Sequence, residues 1–235
     1  MESATLLDRF DYKLVFHESN LKELLAGLQP HFRALEVRGK RRCLYENRYF
    51  DTPDLLFFHE HHNRVARRAK VRFRCYADSS GVTFFEIKQK TNKGRTIKER
   101  LSCDGVQNTL DASMKEMLRA YLDTQTADAL VPKIDNTFYR ITLVDHANAN
   151  RLTLDTDVSF SFDGSTADMP SVAIAELKQD VCGIQPWMRD LFHACGLREM
   201  SISKYAFGSV LLQNGYKHNN FKSPIHLLNK YVHAA

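Results

Sequence analysis

The chain has no apolar run approaching the ~20 residues that a membrane-spanning helix needs, and no CxxC pair among its five cysteines, Cys43, Cys75, Cys103, Cys182 and Cys195. The first absence excludes a transmembrane helix. The second, with the odd count, argues against a zinc site or a disulfide framework and for free thiols in a reducing compartment, so a cytoplasmic location is expected. The opening Met1-Glu2-Ser3-Ala4 lacks a basic segment followed by an apolar one, so no signal peptide is expected. Also missing are a Pro/Gly/Ser-rich linker, a low-complexity tract and an internal repeat. Residues 1–235 are therefore expected to form one domain with one sizeable core. Finally, charge of one sign is not in large excess: 33 Lys and Arg stand against 28 Asp and Glu, a formal charge of +5. That balance does not suit a generic polyelectrolyte binder, so the placement of the charges carries the information.

Placement is informative between Lys70 and Arg100. Lys70, Arg72 and Arg74 alternate with Val71, Phe73 and Cys75; Glu86, Lys88 and Lys90 alternate with Phe85 and Ile87; Lys98 and Arg100 alternate with Ile97 and Leu101. A period of two means strands whose successive side chains point to opposite faces. Asp78-Ser79-Ser80-Gly81 and Asn92-Lys93-Gly94 supply the turns of a three-stranded meander.

The same reading gives five further strands: Arg9 to Phe16, Leu44 to Phe50, Asn136 to Val144, Arg151 to Ser161 and Ser171 to Gln179, the third and fourth forming a hairpin. Helices are expected at Leu21 to Leu28 behind an Asn20 N-cap, at Leu55 to His62, across Asp111 to Asp123, from Pro186 to about Cys195 with Gly196 as terminator, and from Ser203 to Leu212. His59, His61 and His62 read as a polar surface, Trp187 and Leu55-Leu56-Phe57-Phe58 as core, and Tyr49 as packing. The tail, 213–235, is polar and then mildly amphipathic, fit to pack on the body or on a protein partner. About eight strands with few helices suit an α+β architecture, an antiparallel β-barrel with flanking helices and room for one ligand.

Most strands carry a charged face of both signs. Lys13 shares one with Arg9 and Asp11, Arg140 with Thr142, Arg151 with Thr153 and Asp155, and Glu176 with Lys178. Periodicity alone leaves two readings open. Either these faces are ordinary solvated sheet, or they point inward and line a cavity for a polyanion. Density of charge and over-use of Arg, whose planar fork matches phosphate oxygens, favour the second. Asp11, Glu86, Asp155 and Glu176 would then neutralise inward bases or hold a divalent metal.

At these residues the chain resembles a known family. Arg48-Tyr49-Phe50-Asp51-Thr52-Pro53, Lys70-Val71-Arg72-Phe73-Arg74, Phe85-Glu86-Ile87-Lys88-Gln89-Lys90 and Ser201-Ile202-Ser203-Lys204-Tyr205 are similar, in that order, to motifs of the VTC domain. This is the polyphosphate polymerase domain of the vacuolar transporter chaperone complex, within the triphosphate tunnel metalloenzymes, which are antiparallel barrels with a charged interior. The resemblance covers about residues 9–212. It implies that the γ-phosphoryl group of ATP is transferred to a growing inorganic polyphosphate chain, with Mn²⁺ or Mg²⁺ as cofactor. Lys204, Arg72, Arg74 and Lys88 are then the expected catalytic set. Lys13, Lys98, Arg140, Arg151 and Ser203 are expected to bind phosphate or nucleotide, as are Lys70, Lys90, Arg100 and Lys178 on the same charged faces. Glu176 resembles the metal-binding acid.

One departure stands out. Hydrolytic tunnel enzymes carry E-x-E-x-K on the first strand; here it reads Arg9-Phe10-Asp11-Tyr12-Lys13, with a base in place of the first acid. That disfavours hydrolysis, although a triphosphate or polyphosphate hydrolase and a non-catalytic polyphosphate-binding module stay open. Nucleic acid is not an expected partner, because the bases lack the aromatic interleaving of a stacking platform.

Overall fold

A computed structural model of the protein describes residues 10–78, 81–92, 95–147, 149–212 and 219–232. All eight expected strands are present: β1 Phe10–His17, β3 Arg42–Asp51, β4 Arg68–Tyr76, β5 Thr83–Lys90, β6 Thr96–Cys103, β7 Val131–Asp145, β8 Arg151–Phe162 and β10 Val172–Gln179. Three more join them, β2 Phe32–Ala34, β9 Ser165–Met169 and β11 Arg198–Glu199. With three, five and two residues, they are too short to show alternation convincingly.

The eleven strands form one antiparallel sheet in the order β11-β1-β10-β8-β7-β3-β4-β5-β6, with β2 on β7 and β9 on β8. The expected closed barrel of eight strands is therefore corrected to an open sheet of eleven. Closure would need β6 to bond to β1. The outer edge of β1 is already taken: β11 pairs with Leu14 and Val15, and Met200 N–H donates to the Lys13 carbonyl at 2.8 Å. The sheet nevertheless curls, because side chains from β1, β4, β5, β6, β7 and β10 line one cavity.

The helices are α1 Leu21–Leu28, α2 Leu56–His62, α3 Ala112–Arg119, α4 Thr124–Ala129, α5 Pro186–Ala194, α6 Lys204–Leu212 and α7 Lys222–Val232. The single helix expected across Asp111 to Asp123 is two, because Asp111 caps Met114 N–H and Asp123 caps Thr126 N–H, starting a new helix each time. Asn20 makes no side-chain cap; its amide donates to the Cys195 carbonyl, tying α1 to α5. Gly196, at φ +68, does end α5.

These helices settle which way the charged faces point. Leu14, Phe16, Leu152, Leu154, Ala175 and Leu177, from the apolar faces of β1, β8 and β10, form one buried cluster with Leu24 and Leu28 of α1 and Met188 and Phe192 of α5. Val71, Phe73, Phe85 and Ile87 of β4 and β5 join a second cluster with Met114 and Leu118 of α3 and Ala127 of α4. The apolar faces are thus covered from outside and the charged faces turn inward. Trp187 stacks on His31 at the margin of the first cluster rather than within it, with ring centroids 3.8 Å apart.

In α6, Gly208 lies against β8. A Cβ there would sit 2.4 Å from the Phe160 ring. Gly208→Ala should therefore destabilise the fold by about 1–3 kcal/mol through overpacking, read as a lower denaturation midpoint. An unchanged midpoint would mean that the α6–β8 contact yields easily. In the tail, Phe221, just before α7, and Leu228 of α7 are buried in the second cluster, so this part of the tail packs on the body of the chain. No helix among the described residues is long and apolar enough to cross a membrane.

Candidate functional site

The inward faces enclose a cavity of about 300 Å³. Strand register fixes its wall as rows of side chains at roughly 5 Å lateral spacing. Lys70, Lys88 and Lys98 form one row across β4, β5 and β6, and Arg72 and Glu86 the next. Across the cavity, Lys13 of β1 pairs in register with Glu176 of β10, and Asp11 with Lys178. From β7 comes Arg140, opposite Asp155 of β8. β11 and the stretch after it run along β1 and deliver Ile202, Ser203 and Lys204 to the cavity; the Lys13 ammonium donates to the Ile202 carbonyl.

Eleven of the expected site residues line this one cavity: Lys13, Lys70, Arg72, Arg74, Lys88, Lys98, Arg140, Glu176, Lys178, Ser203 and Lys204. Lys90, Arg100 and Arg151 do not. All three are exposed; Lys90 and Arg151 lie at strand ends, and the Arg100 guanidinium sits 4.6 Å from the centre of the Phe84 ring. Arg9, the base of the departing motif, lies outside the described residues.

Three acids hold most of the bases in place. Glu86, 2% exposed, receives Arg72 Nε at 2.9 Å and Nη2 at 2.7 Å on one oxygen and Lys98 Nζ at 2.5 Å on the other, with Arg74 at 4.0 Å. Burial opposes its ionisation, but the charges of Arg72 and Arg74 and the Lys98 ammonium outweigh burial and hold its pKa at about 2. Asp155, also 2% exposed, accepts a two-point fork from Arg140 at 2.6 and 2.7 Å and the ammonium of Lys204. Its pKa too is lowered: burial raises it, and Arg140 and Lys204 more than reverse this. Both acids thus neutralise bases, one of the two roles open to them. Glu176 bonds Lys178 Nζ at 2.8 Å, and Lys178 also reaches Asp11 at 2.8 Å. Against burial, Lys178 and Lys13 keep Glu176 well below the usual carboxylate range.

Sequence reasoning underestimated three residues. Tyr49 is more than packing: buried in the wall, its hydroxyl accepts from Arg72 Nη1 at 3.2 Å. Phe138 lies beneath two cations, with Lys204 Nζ 4.5 Å and the Arg140 guanidinium 5.1 Å from its ring centre. Asp51, fully buried, accepts from the backbone N–H of Thr52, Phe57 and Phe58 and from the Tyr205 hydroxyl, and so locks α6, with Lys204 at its start, to α2. The histidines read as surface include one buried ring: His62 packs against Phe58 and Phe221.

Among the described residues, no group of three or more His, Cys, Asp or Glu is gathered to hold a metal ion. Of the two ionised carboxylates that line the cavity, Glu86 is engaged by Arg72 and Lys98 on its two oxygens, which leaves Glu176 as the carboxylate to offer a metal. That donor set fits Mg²⁺ or Mn²⁺ shared with phosphate oxygens, since Mg²⁺ is commonly held by one or two carboxylates plus its substrate. It does not fit an all-protein cage.

A family model described as the VTC domain matches residues 8–213. No curated protein matches the chain. Among solved structures, a candidate adenylate cyclase from Bacillus halodurans is similar with a TM-score of 0.50 and 15% identity, over 82% of this chain and 92% of that one. A candidate adenylyl cyclase from Hippeastrum, described as having a dominant triphosphatase activity, is similar with a TM-score of 0.50 and 16% identity, over 87% of this chain and 97% of that one. At such identities the likeness concerns the fold alone.

Proposed function

Because the chain belongs to the VTC domain family, we propose that it is a metal-dependent polyphosphate polymerase, moving the γ-phosphoryl group of ATP to the end of a polyphosphate chain inside the cavity. The observation that carries this reading is a charge imbalance. Nine basic side chains line the cavity against two carboxylates, Glu86 and Glu176, with Asp155 behind them. A cavity so charged is costly unless a polyanion or counter-ions fill it.

The arrangement also suits the chemistry. Phosphoryl transfer asks for in-line positioning and for neutralisation of charge on the transferring oxygens, with little covalent help from protein. Arg72 and Arg74 on one wall, and Arg140 and Lys204 on another, present cations to an anion held between them. Glu86 and Asp155 fix those cations before substrate arrives, so little reorganisation is left for the moment of reaction. Lys13, Lys70, Lys88, Lys98, Lys178 and Ser203 extend the phosphate-binding surface. Glu176 would hold Mn²⁺ or Mg²⁺ jointly with phosphate oxygens, and the bound ion supplies further charge neutralisation.

One experiment tests the reading: incubate the purified protein with ATP and Mn²⁺ or Mg²⁺ and resolve the products by gel electrophoresis. Phosphate polymers that lengthen with time are expected. Orthophosphate alone would replace the polymerase with a hydrolase, and tight polyphosphate binding without turnover would leave a binding module.

A further inference from the structure

Three lysines of the cavity wall, Lys13, Lys70 and Lys88, differ from their neighbours in making no ion pair with a carboxylate among the described residues. Arg72, Lys98, Arg140, Lys178 and Lys204 each bond a carboxylate. Lys70 has no carboxylate partner among the described residues. Its hydrogen bond goes to a neutral group, the Ser203 hydroxyl, at 2.9 Å. Its register partner on β5 is another base, Lys88, and like charges directly opposite on neighbouring strands are destabilising.

We propose that Lys70 stands in the empty cavity as an uncharged amine and takes up a proton when a phosphate chain enters, so that the cavity selects ligands carrying several negative charges. The inference rests on the reading of the cavity as a phosphate-chain site. The largest influences on Lys70 act in one direction. From β1 comes Lys13, from β5 Lys88, and from its own strand Arg72 and Arg68; burial and these four charges push its pKa well below that of an ordinary lysine. From α2 comes His61, whose pKa is pushed down to about 3, chiefly by burial, so it is neutral near pH 7 and offers no counter-charge. Ser203 accepts the hydrogen bond whichever form Lys70 takes if the amine keeps one N–H on it.

A ligand with several negative charges reverses the balance. Its charge stabilises the ammonium, and the proton comes from solvent. Orthophosphate brings fewer charges and compensates the Lys70–Lys88 pair less. Ligand affinity should therefore carry a proton-uptake component specific to Lys70, and Lys70→Arg should remove it, because guanidinium stays charged throughout.

Two measurements test this. The first follows Lys70 without ligand: the side-chain amines are reductively methylated with a ¹³C label and titrated by NMR, with Lys70→Arg assigning the signal. The Lys70 resonance is expected to titrate well below the other lysines; titration together with them overturns the proposal. The second is calorimetry of tripolyphosphate binding at one pH in two buffers of different ionisation enthalpy. The wild type is expected to take up about one more proton than Lys70→Arg, as one ionising group requires, and the preference for tripolyphosphate over orthophosphate is expected to narrow in the variant. Equal proton counts in the two proteins overturn the coupling. A low Lys70 midpoint with no tripolyphosphate binding would sink the proposed function while supporting the uncharged amine.

Discussion

Arg72→Ala is expected to weaken tripolyphosphate binding by about 10–150-fold at fixed salt, measured by calorimetric titration. The figure follows from hydrogen bonds to charged groups, each of which contributes about 1.5–3 kcal/mol when formed in place of water contacts. The structure shows why this arginine matters for an anion. A guanidinium has five N–H donors. Three are committed, two to Glu86 and one to the Tyr49 hydroxyl, which leaves two, and a positive charge, for a ligand. Truncation removes that charge while Glu86 keeps Lys98, so the carboxylate is not stranded. Arg72→Lys should recover only part of the loss, since an ammonium cannot reproduce the fork. Unchanged affinity in Arg72→Ala would reduce Arg72 to a structural partner of Glu86 and undo its proposed catalytic role.

Asp155→Asn is expected to produce the largest loss of stability in the empty protein, about 3–5 kcal/mol, because it leaves two buried cations, Arg140 and Lys204, without their counter-charge. For a chain of this size that is a fall in melting temperature of roughly 6–20 °C. Saturating tripolyphosphate should return a large part of it, raising the melting temperature more in the variant than in the wild type, because the ligand supplies the missing negative charge. The pH dependence has a definite sign. The folded-state pKa of Asp155 is lowered, so its stabilisation is present above the unfolded value of about 3.9 and is lost as pH falls through the folded value. The gap between wild type and variant should be constant near neutrality and close in acid, below about pH 4. A variant as stable as the wild type at pH 7 would mean that Arg140 and Lys204 reach solvent, contrary to the buried cluster described.

What could be read in the sequence follows from what alternation can encode. Eight strands were legible because each is long enough to repeat its pattern, and those same repeats pointed to the side chains that converge on the cavity. Direction was not legible. A strand such as Lys70-Val71-Arg72-Phe73-Arg74 has two faces, and only α3 and α4 packing on Val71 and Phe73 decide which is inside. Nor were the long-range ties. Asp51 stood in a segment that looked like an ordinary strand end, yet its carboxylate meets the Tyr205 hydroxyl 154 positions away. His62 was grouped with its polar neighbours, but it follows the buried Phe58 by four residues and so falls on the same inner side of α2. The ionic pairing of Asp155 with Lys204 had no local trace either, since it spans 49 positions.

The pairing of β1 with β10 also bears on how the molecule is made. Lys13 meets Glu176 across that ladder, and Ser203 and Lys204 arrive only through the segment that follows β11. β1 gains its first neighbour only once β10, Val172–Gln179, has been made, and until β11 and Lys204 follow the cavity wall is missing a side. Such distant pairing closes slowly, after the local hairpins. Under the proposed function, ligand binding would therefore be a late event in the folding of each new chain and would report that β1 has met the segment from β10 to α6.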